Sequence, residues 1–460
     1  MVTNLITKKY KRVIQLEFNE ISSEVIEKII EKGHELPNFS YINKNWKFLK
    51  TQSEDKYEHL EPWIQWCTVH TGKAYSEHQI FRLSDVYKLK HPQIWETLSD
   101  HGVESGILGS MNVTRKNTQG GIFFPDPWSQ NNEAYPSKLR GLWDLIAKKV
   151  QSHATTKVNY KDIVNGLQEC FRLKLPLSIY FKIIKQLFSQ KINAKSKWKL
   201  AGIFDLFLAE IFKSILKKTN YGFYTLFLNA SAHYQHHYWR AFDSLPFNAS
   251  IKYADINPAD DPITFGYKIY DKILGDILKQ VGHDQDTLII LLSGLSQAPY
   301  TKHEDVGGMN YYRLNDHKSF AKLLRLAGDV FPMMSRSWQY RYIDDHDRKR
   351  AIEILSNSRV NGKKLFDLEE TTAGYLYIDT IYMDEVSSDA EIHCGNNMSL
   401  GRFNDFFTHI AIKSGHHIGL GNLWISDKEM MKEFADKMPL SEVFAFTLRA
   451  LGIEENSLKK

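Results

Sequence analysis

Apolar residues along this chain fall into two spacings, and the two alternate. Val13, Ile14, Leu16 and Phe18 make a short, nearly continuous apolar run, the form taken by a strand buried on both faces. Asn19 and Glu20 end the run, and a helical stretch from Ser23 to Lys32 follows, closed by Gly33. A second unit of the same kind spans Trp95 to Gly109, where a helix ending at Gly102 leads into the strand Ser105 to Gly109. Further apolar runs lie at Tyr221 to Leu228, Thr287 to Leu292 and Phe407 to Ile412. Strands alternating with helices predict an α/β fold, a large mainly parallel sheet sandwiched by helices, whose ligands lie beyond the carboxyl ends of the strands. The residues just after each strand are therefore the first candidates for chemistry.

Two stretches break the alternation. Between residues 148 and 218 only helical spacing is present, with Ile179, Ile183, Ile184 and Leu187, then Ile203, Leu206, Phe207, Ile211 and Ile215, and lysines in between. This reads as a helical insertion with a basic face. Such a face is usually just solvated, and peripheral contact with an anionic membrane or polymer is the other reading. Residues 303–397, rich in charge and aromatics, read as a second, irregular, cap-like insertion. The core then comprises 1–147, 219–302 and 398–460.

Composition narrows the class. With 43% hydrophobic and 25% charged residues the chain is ordinary globular material. A net charge of +5 over 460 residues gives no general field for nucleic acid, and none is expected as a partner. Cys67, Cys170 and Cys394 are too far apart for a zinc knuckle or a disulfide framework, which fits a reducing compartment. Met1 to Arg12 is polar and basic, without the apolar core of a secretory leader, and no apolar run reaches the length of a membrane span. The expected location is the cytoplasm.

Five segments carry a family resemblance. They are the opening strand and helix through Leu36-Pro37-Asn38-Phe39; Trp66-Cys67-Thr68-Val69-His70-Thr71-Gly72 with Glu77-His78; Gly121 to Leu139 with Tyr135-Pro136-Ser137-Lys138-Leu139; Leu288 to Ser293; and Met438-Pro439-Leu440 through Leu451-Gly452-Ile453. In this order and spacing the chain resembles the type I phosphodiesterase/nucleotide pyrophosphatase branch of the alkaline phosphatase superfamily. The resemblance implies a Thr or Ser nucleophile and two divalent cations held by Asp and His. At the matching positions this chain departs from that pattern. Asn19, with Glu20 beside it, stands where a metal-binding Asp is expected, and Pro62 falls at or near the nucleophile. The family's Asp-x-x-x-His pair lands on Asn229 and His233, and Gly294-Leu295 replaces an Asp-His pair. The last His motif survives as Gly415-His416-His417-Ile418-Gly419, and either imidazole could be the equivalent ligand.

A set of amides and imidazoles holds a divalent cation weakly, so at most one, such as zinc or manganese, is expected, with Glu20 or Glu17 adding charge. His233 and His417 are the expected ligands. The segment from Asn229 to Arg240 is rich in imidazoles and aromatics, and His233 and His237 share a face if it is helical. His233, His237, His416 and His417 are candidate acid/base groups. Each could also be a satisfied core histidine. Glu61 is a candidate base or nucleophile, or else an ordinary cap before a helix starting at Pro62. Asn19, Glu20, Gln65, Asn229, His236, Ser293 and Gln297 are candidate substrate contacts. With these candidates, the resemblance implies an enzyme of altered mechanism acting on a small molecule or glycan conjugate that is phosphorylated, sulfated or glycosidic. The alternative is a binding protein that has kept the pocket without the chemistry.

Overall fold

The computed structural model describes residues 10–454 apart from positions 84, 117, 129–132, 152–165, 167, 252–255, 335, 372–373 and 396–397. Its centre is an eight-stranded sheet. Across it the order is Lys437–Pro439, Lys47–Gln52, Leu420–Ile425, Thr287–Leu292, Arg12–Phe18, Phe223–Leu228, Ser105–Leu108 and Ile122–Phe124. Leu420–Ile425 runs antiparallel to both neighbours, and every other pair is parallel. The sheet is large and mainly parallel, as expected. The opening strand lies near its middle, with Leu16 between Leu226 and Leu291. Three neighbouring parallel strands therefore end side by side, and Asn19-Glu20, Asn229 and Ser293 all emerge at one edge.

Side-chain alternation explains why the strands read as unbroken apolar runs. Ile14, Leu16, Phe18, Tyr224, Leu226, Ile289 and Leu291 pack into one hydrophobic layer, while Val13, Phe223, Phe227, Leu288, Ile290 and Leu292 pack into the other. Both faces are covered by helices, so neither needs a polar residue. Gln15 and Glu17 break the rule within the opening strand. Both are buried, and Glu17 accepts hydrogen bonds from Gln15 Nε2 (2.8 Å) and Ser110 Oγ (2.7 Å) and pairs with His70 Nε2 (2.9 Å).

The two irregular stretches differ from expectation in instructive ways. Part of 148–218 lies outside the described residues. Within the rest, helix Lys199–Lys218 buries Leu206, Ile211 and Ile215 in the main core against strand Phe223–Leu228, so it covers the sheet. Helix Leu177–Ile192 buries only Ile179 and Gln186. The stretch expected to be irregular, 303–397, is instead β-rich. Two four-stranded sheets, one holding Trp338–Arg341 and Tyr375–Thr380, the other Glu391–Cys394 and Met398–Arg402, enclose a separate hydrophobic cluster that includes Trp338, Tyr340, Phe366, Leu376 and Ile378. In Tyr375–Thr380 burial alternates strictly, with Leu376, Ile378 and Thr380 buried and Tyr375, Tyr377 and Asp379 on the other face. The apolar run at Phe407 likewise leaves the central sheet: strand Phe407–Lys413 pairs with Met309–Leu314, and Phe407 packs in the cap cluster. No helix among the described residues is long and apolar enough to cross a membrane.

Candidate functional site

Glu20 organises the site. It follows the opening strand with φ of 59°, a left-handed conformation uncommon for any residue but glycine. Two hydrogen bonds hold it there: its N–H donates to Ser293 O (3.1 Å), and its carbonyl accepts from Gln235 Nε2 (2.8 Å). A strained residue fixed from both ends keeps its side chain in one place. Its carboxylate lies 3.5 Å from His236 Nε2 and 3.5 Å from His417 Nε2, and the two imidazole nitrogens are 3.2 Å apart.

The elements bring these groups together by simple means. His236 lies on helix Ala230–Phe242, which starts directly after Asn229, where the central strand ends. Asp205 receives the first backbone N–H groups of that helix, from Asn229 (3.1 Å) and Ala230 (2.7 Å). His417 lies on strand Gly415–Ile418, directly opposite Gln297 of strand Ser296–Pro299. Ser414 staples the two: its N–H donates to His236 O (2.8 Å), and its Oγ accepts from Trp239 N (2.9 Å), where the helix is interrupted at Tyr238. Gly415 permits this approach, because a β-carbon there would collide with Gln235 O.

One carboxylate and two imidazoles make a ligand set that suits zinc. The three donor atoms form a triangle with edges of 3.5, 3.5 and 3.2 Å. Donors at zinc–nitrogen distances around a tetrahedral ion would be about 3.3 Å apart. The residues fit three of the four ligands of one tetrahedral cation. They do not fit a second beside it. The indole N–H of Trp66, which can only donate, is 2.8 Å from Asn19 Oδ1. That leaves Asn19 Nδ2 to donate to Glu20 Oε1 (3.0 Å) and Asn229 Oδ1 (2.8 Å). Asn19 thus presents N–H groups where a second cation would need oxygen. Glu17 is committed to His70, so the extra negative charge comes from Glu20 alone.

Charged side chains surround the triangle. Glu61 Oε2 is 3.8 Å from His417 Nδ1, the ring nitrogen that does not face Glu20. A carboxylate on that side favours a proton at Nδ1 and leaves Nε2 free to ligate. Burial works against a charge on His417, but Glu20 and Glu61 outweigh it, and its proton affinity is raised. Burial, followed by the charge of His417, pushes His236 well below the ordinary histidine range. Glu61 is the N-cap residue of helix Pro62–Thr71, and burial raises its carboxyl above the usual range while His417 acts the other way. Lys413 contributes positive charge to both Glu61 and His417. Its ammonium lies 4.7 Å from the Tyr300 ring centre and shares a hydrogen bond with Tyr57, and burial lowers its proton affinity. Arg336 comes from the cap, bonded to Asp379 through Nε and Nη2 (both 3.2 Å) and lying over Tyr311 at 4.9 Å; among the described residues its buried Nη1 has no hydrogen-bond partner.

The other expected residues fall into separate groups. His233 is outside the triangle, and His236 stands beside Glu20 and His417 in its place. It does share a helix face with His237, ring centres 5.1 Å apart, and burial lowers His233 to about 4. His416 and His417 are neighbours on a strand and point to opposite sides; His416 packs between Tyr57 and Tyr300, ring centres 6.5 and 5.9 Å away. Gln297 donates to Glu20 and to Ala232 O (3.0 Å). Gln65 is buried and donates to His59 O (2.7 Å). Ser293, expected among the substrate contacts, is fully buried: its carbonyl holds Glu20, and its Oγ accepts from Asn422 N (2.9 Å). It positions the loop instead. Lys413, Arg336 and Tyr57 were not foreseen. Only Lys413 left a signal, standing just ahead of the Gly-His-His motif.

No family model matches the sequence, and no curated protein matches it. Among solved structures the chain is similar to phosphonoacetate hydrolase from Sinorhizobium meliloti 1021, at a TM-score of 0.44 and 12% identity, covering 98% of this chain and 100% of that one. It is also similar to murine ectonucleotide pyrophosphatase/phosphodiesterase 5, at a TM-score of 0.39 and 12% identity, covering 96% and 95%. A third is alkaline phosphatase from the Antarctic bacterium TAB5, at a TM-score of 0.40 and 12% identity, covering 96% and 99%.

Proposed function

We propose that the chain is a hydrolase that uses one divalent cation, zinc being the best match, on a small molecule or glycan conjugate carrying a phosphate or sulfate ester. The observation that carries this reading is the triangle of Glu20, His236 and His417, with edges that suit three of the four ligands of a tetrahedral site. When bound, such a cation supplies Lewis acidity and lowers the pKa of water. The chain's own residues supply the rest. Glu61 orients His417, and its raised proton affinity suits a group that takes or gives a proton near neutral pH. Lys413 and the buried Nη1 of Arg336 offer positive charge for the ester anion. Pro62 has no nucleophilic atom, so the attacking group is water rather than a side chain at that position.

The test is metal content by mass spectrometry on protein purified without a tag, together with turnover of bis-p-nitrophenyl phosphate and p-nitrophenyl sulfate. Wild type is expected to carry about one equivalent, and Glu20→Gln and His417→Ala less than about a tenth, since each removes a ligand. Turnover should fall with the metal while the circular dichroism spectrum stays unchanged. Wild-type protein that neither holds a metal nor turns over either ester would overturn this reading in favour of a binding protein.

A further inference from the structure

Helix Leu177–Ile192 presents its apolar side to solvent. Leu177 is 71% exposed, Phe181 69%, Ile184 51%, Phe188 64% and Ile192 87%, and Phe171, just ahead of the helix, is 81% exposed. Steps of three and four residues put these side chains in one stripe along the helix. A contiguous apolar stripe of this kind on a folded protein marks a surface that something covers.

Charge identifies what covers it. From Phe171 to Phe204 the chain has eight Lys or Arg and no Asp or Glu, more than the net +5 of the whole molecule, so the remainder is net acidic. Lys182 and Lys185 lie beside the stripe and line a groove of about 430 Å³ with Lys199, Lys268 and Lys272, over a floor that includes Phe265 and Ile269. Among the described residues neither Lys182, Lys185 nor Lys199 has a carboxylate partner within 4.0 Å. A two-fold contact between copies through this face would bring like charges together across the joint. An apolar stripe bordered by unpaired lysines instead matches an anionic bilayer, with rings and branched chains below the headgroups and ammonium groups among the phosphates.

We infer that helix Leu177–Ile192 lies in the surface of a membrane containing anionic phospholipid and carries the rest of the chain with it. The helix is too short to span a bilayer, so it lies in the plane of the surface. The inference is independent of the metal centre. It is tested by sedimenting the full chain with vesicles of phosphatidylcholine alone or with about 30% phosphatidylserine, a composition chosen to give a negative surface. The chain should sediment with the phosphatidylserine vesicles, stay mostly free with the others, and be released by about 0.5 M salt. The pair F181S and F188S, both on the exposed stripe, should weaken partitioning at least about tenfold, and K182E with K185E should abolish the preference for phosphatidylserine. No sedimentation of wild type, or partitioning unchanged by F181S and F188S, would overturn the inference. So would a wild-type dimer in light scattering that the same pair makes monomeric, because a second copy would then cover the stripe.

Discussion

At the scale of single residues, two carboxylates three positions apart have different work. Glu17 is buried with His70, Gln15 and Ser110, whereas Glu20 faces the two imidazoles. Removing one partner of a buried hydrogen bond leaves the other unsatisfied, at a cost of about 1–3 kcal/mol. His70→Leu should therefore lower stability by about that much in urea denaturation while metal content stays at the parental level. A variant of unchanged stability would show that Glu17 needs no partner. A second prediction concerns His78. Its Nδ1 accepts from Ile80 N (3.0 Å) and its Nε2 is 3.3 Å from Thr68 Oγ1, so the ring is held neutral, and burial lowers it from 6.5 to about 4. The unfolded chain gains a proton below pH 6.5 that the folded chain refuses until about 4. Stability is thus complete above 6.5 and lost as the pH falls through that window, by about 3 kcal/mol from this group. His78→Asn keeps an acceptor for Ile80 and should flatten the acid limb by that amount, as read from urea midpoints at pH 7 and 4.5. In sequence, Asn19, Asn229 and the histidine motifs were all visible. What could not be read was which imidazole turns toward Glu20, because that depends on the kink at Tyr238 and on Ser414, a contact between segments far apart in the chain.

At the scale of elements, the strands that were legible are those with both faces buried. Thr287–Leu292 shows it best: all six residues are buried, so the apolar run and the strand coincide. Lys47–Gln52 and Leu420–Ile425 were missed because they carry Lys50, Thr51 and Asn422 among the apolar residues. Asn422 spends its side chain on Ile21 O (2.9 Å) and Lys50 Nζ (2.8 Å), which a pattern of hydropathy records only as polarity. The cap was misread for a related reason, since its strands hide an alternating core beneath a charged face. The joint between helix Ala230–Phe242 and strand Gly415–Ile418 gives the prediction at this scale. Gly415→Ala places a methyl against Gln235 O and Gln297 Oε1. Overpacking of this kind costs about 1–3 kcal/mol. The strand should move away from the helix, separating His417 from His236, and zinc affinity in a competition titration should fall at least about tenfold. The same affinity as the parent would show that the two elements can separate without disturbing the triangle.

At the scale of the whole molecule, charge and function are unevenly distributed. The basic, apolar helix Leu177–Ile192 belongs to the layer of helices on one side of the sheet, while the triangle of Glu20, His236 and His417 sits at the edge where the central parallel strands end. Vesicle binding and metal binding should therefore be separable: F181S with F188S is expected to retain about one equivalent of metal, and Glu20→Gln to partition onto phosphatidylserine vesicles as wild type does. Joint loss of both properties in either variant would mean that the two regions are coupled. The triangle also imposes an order in time. Its first ligand and its last lie roughly 400 positions apart, and a ribosome adding about 5–20 residues per second needs roughly 20–80 s to deliver the second after the first. Throughout that interval the emerging chain has the carboxylate of Glu20 without the imidazole of His417. Glu20, His236 and His417 can therefore act together only once residue 417 has been made.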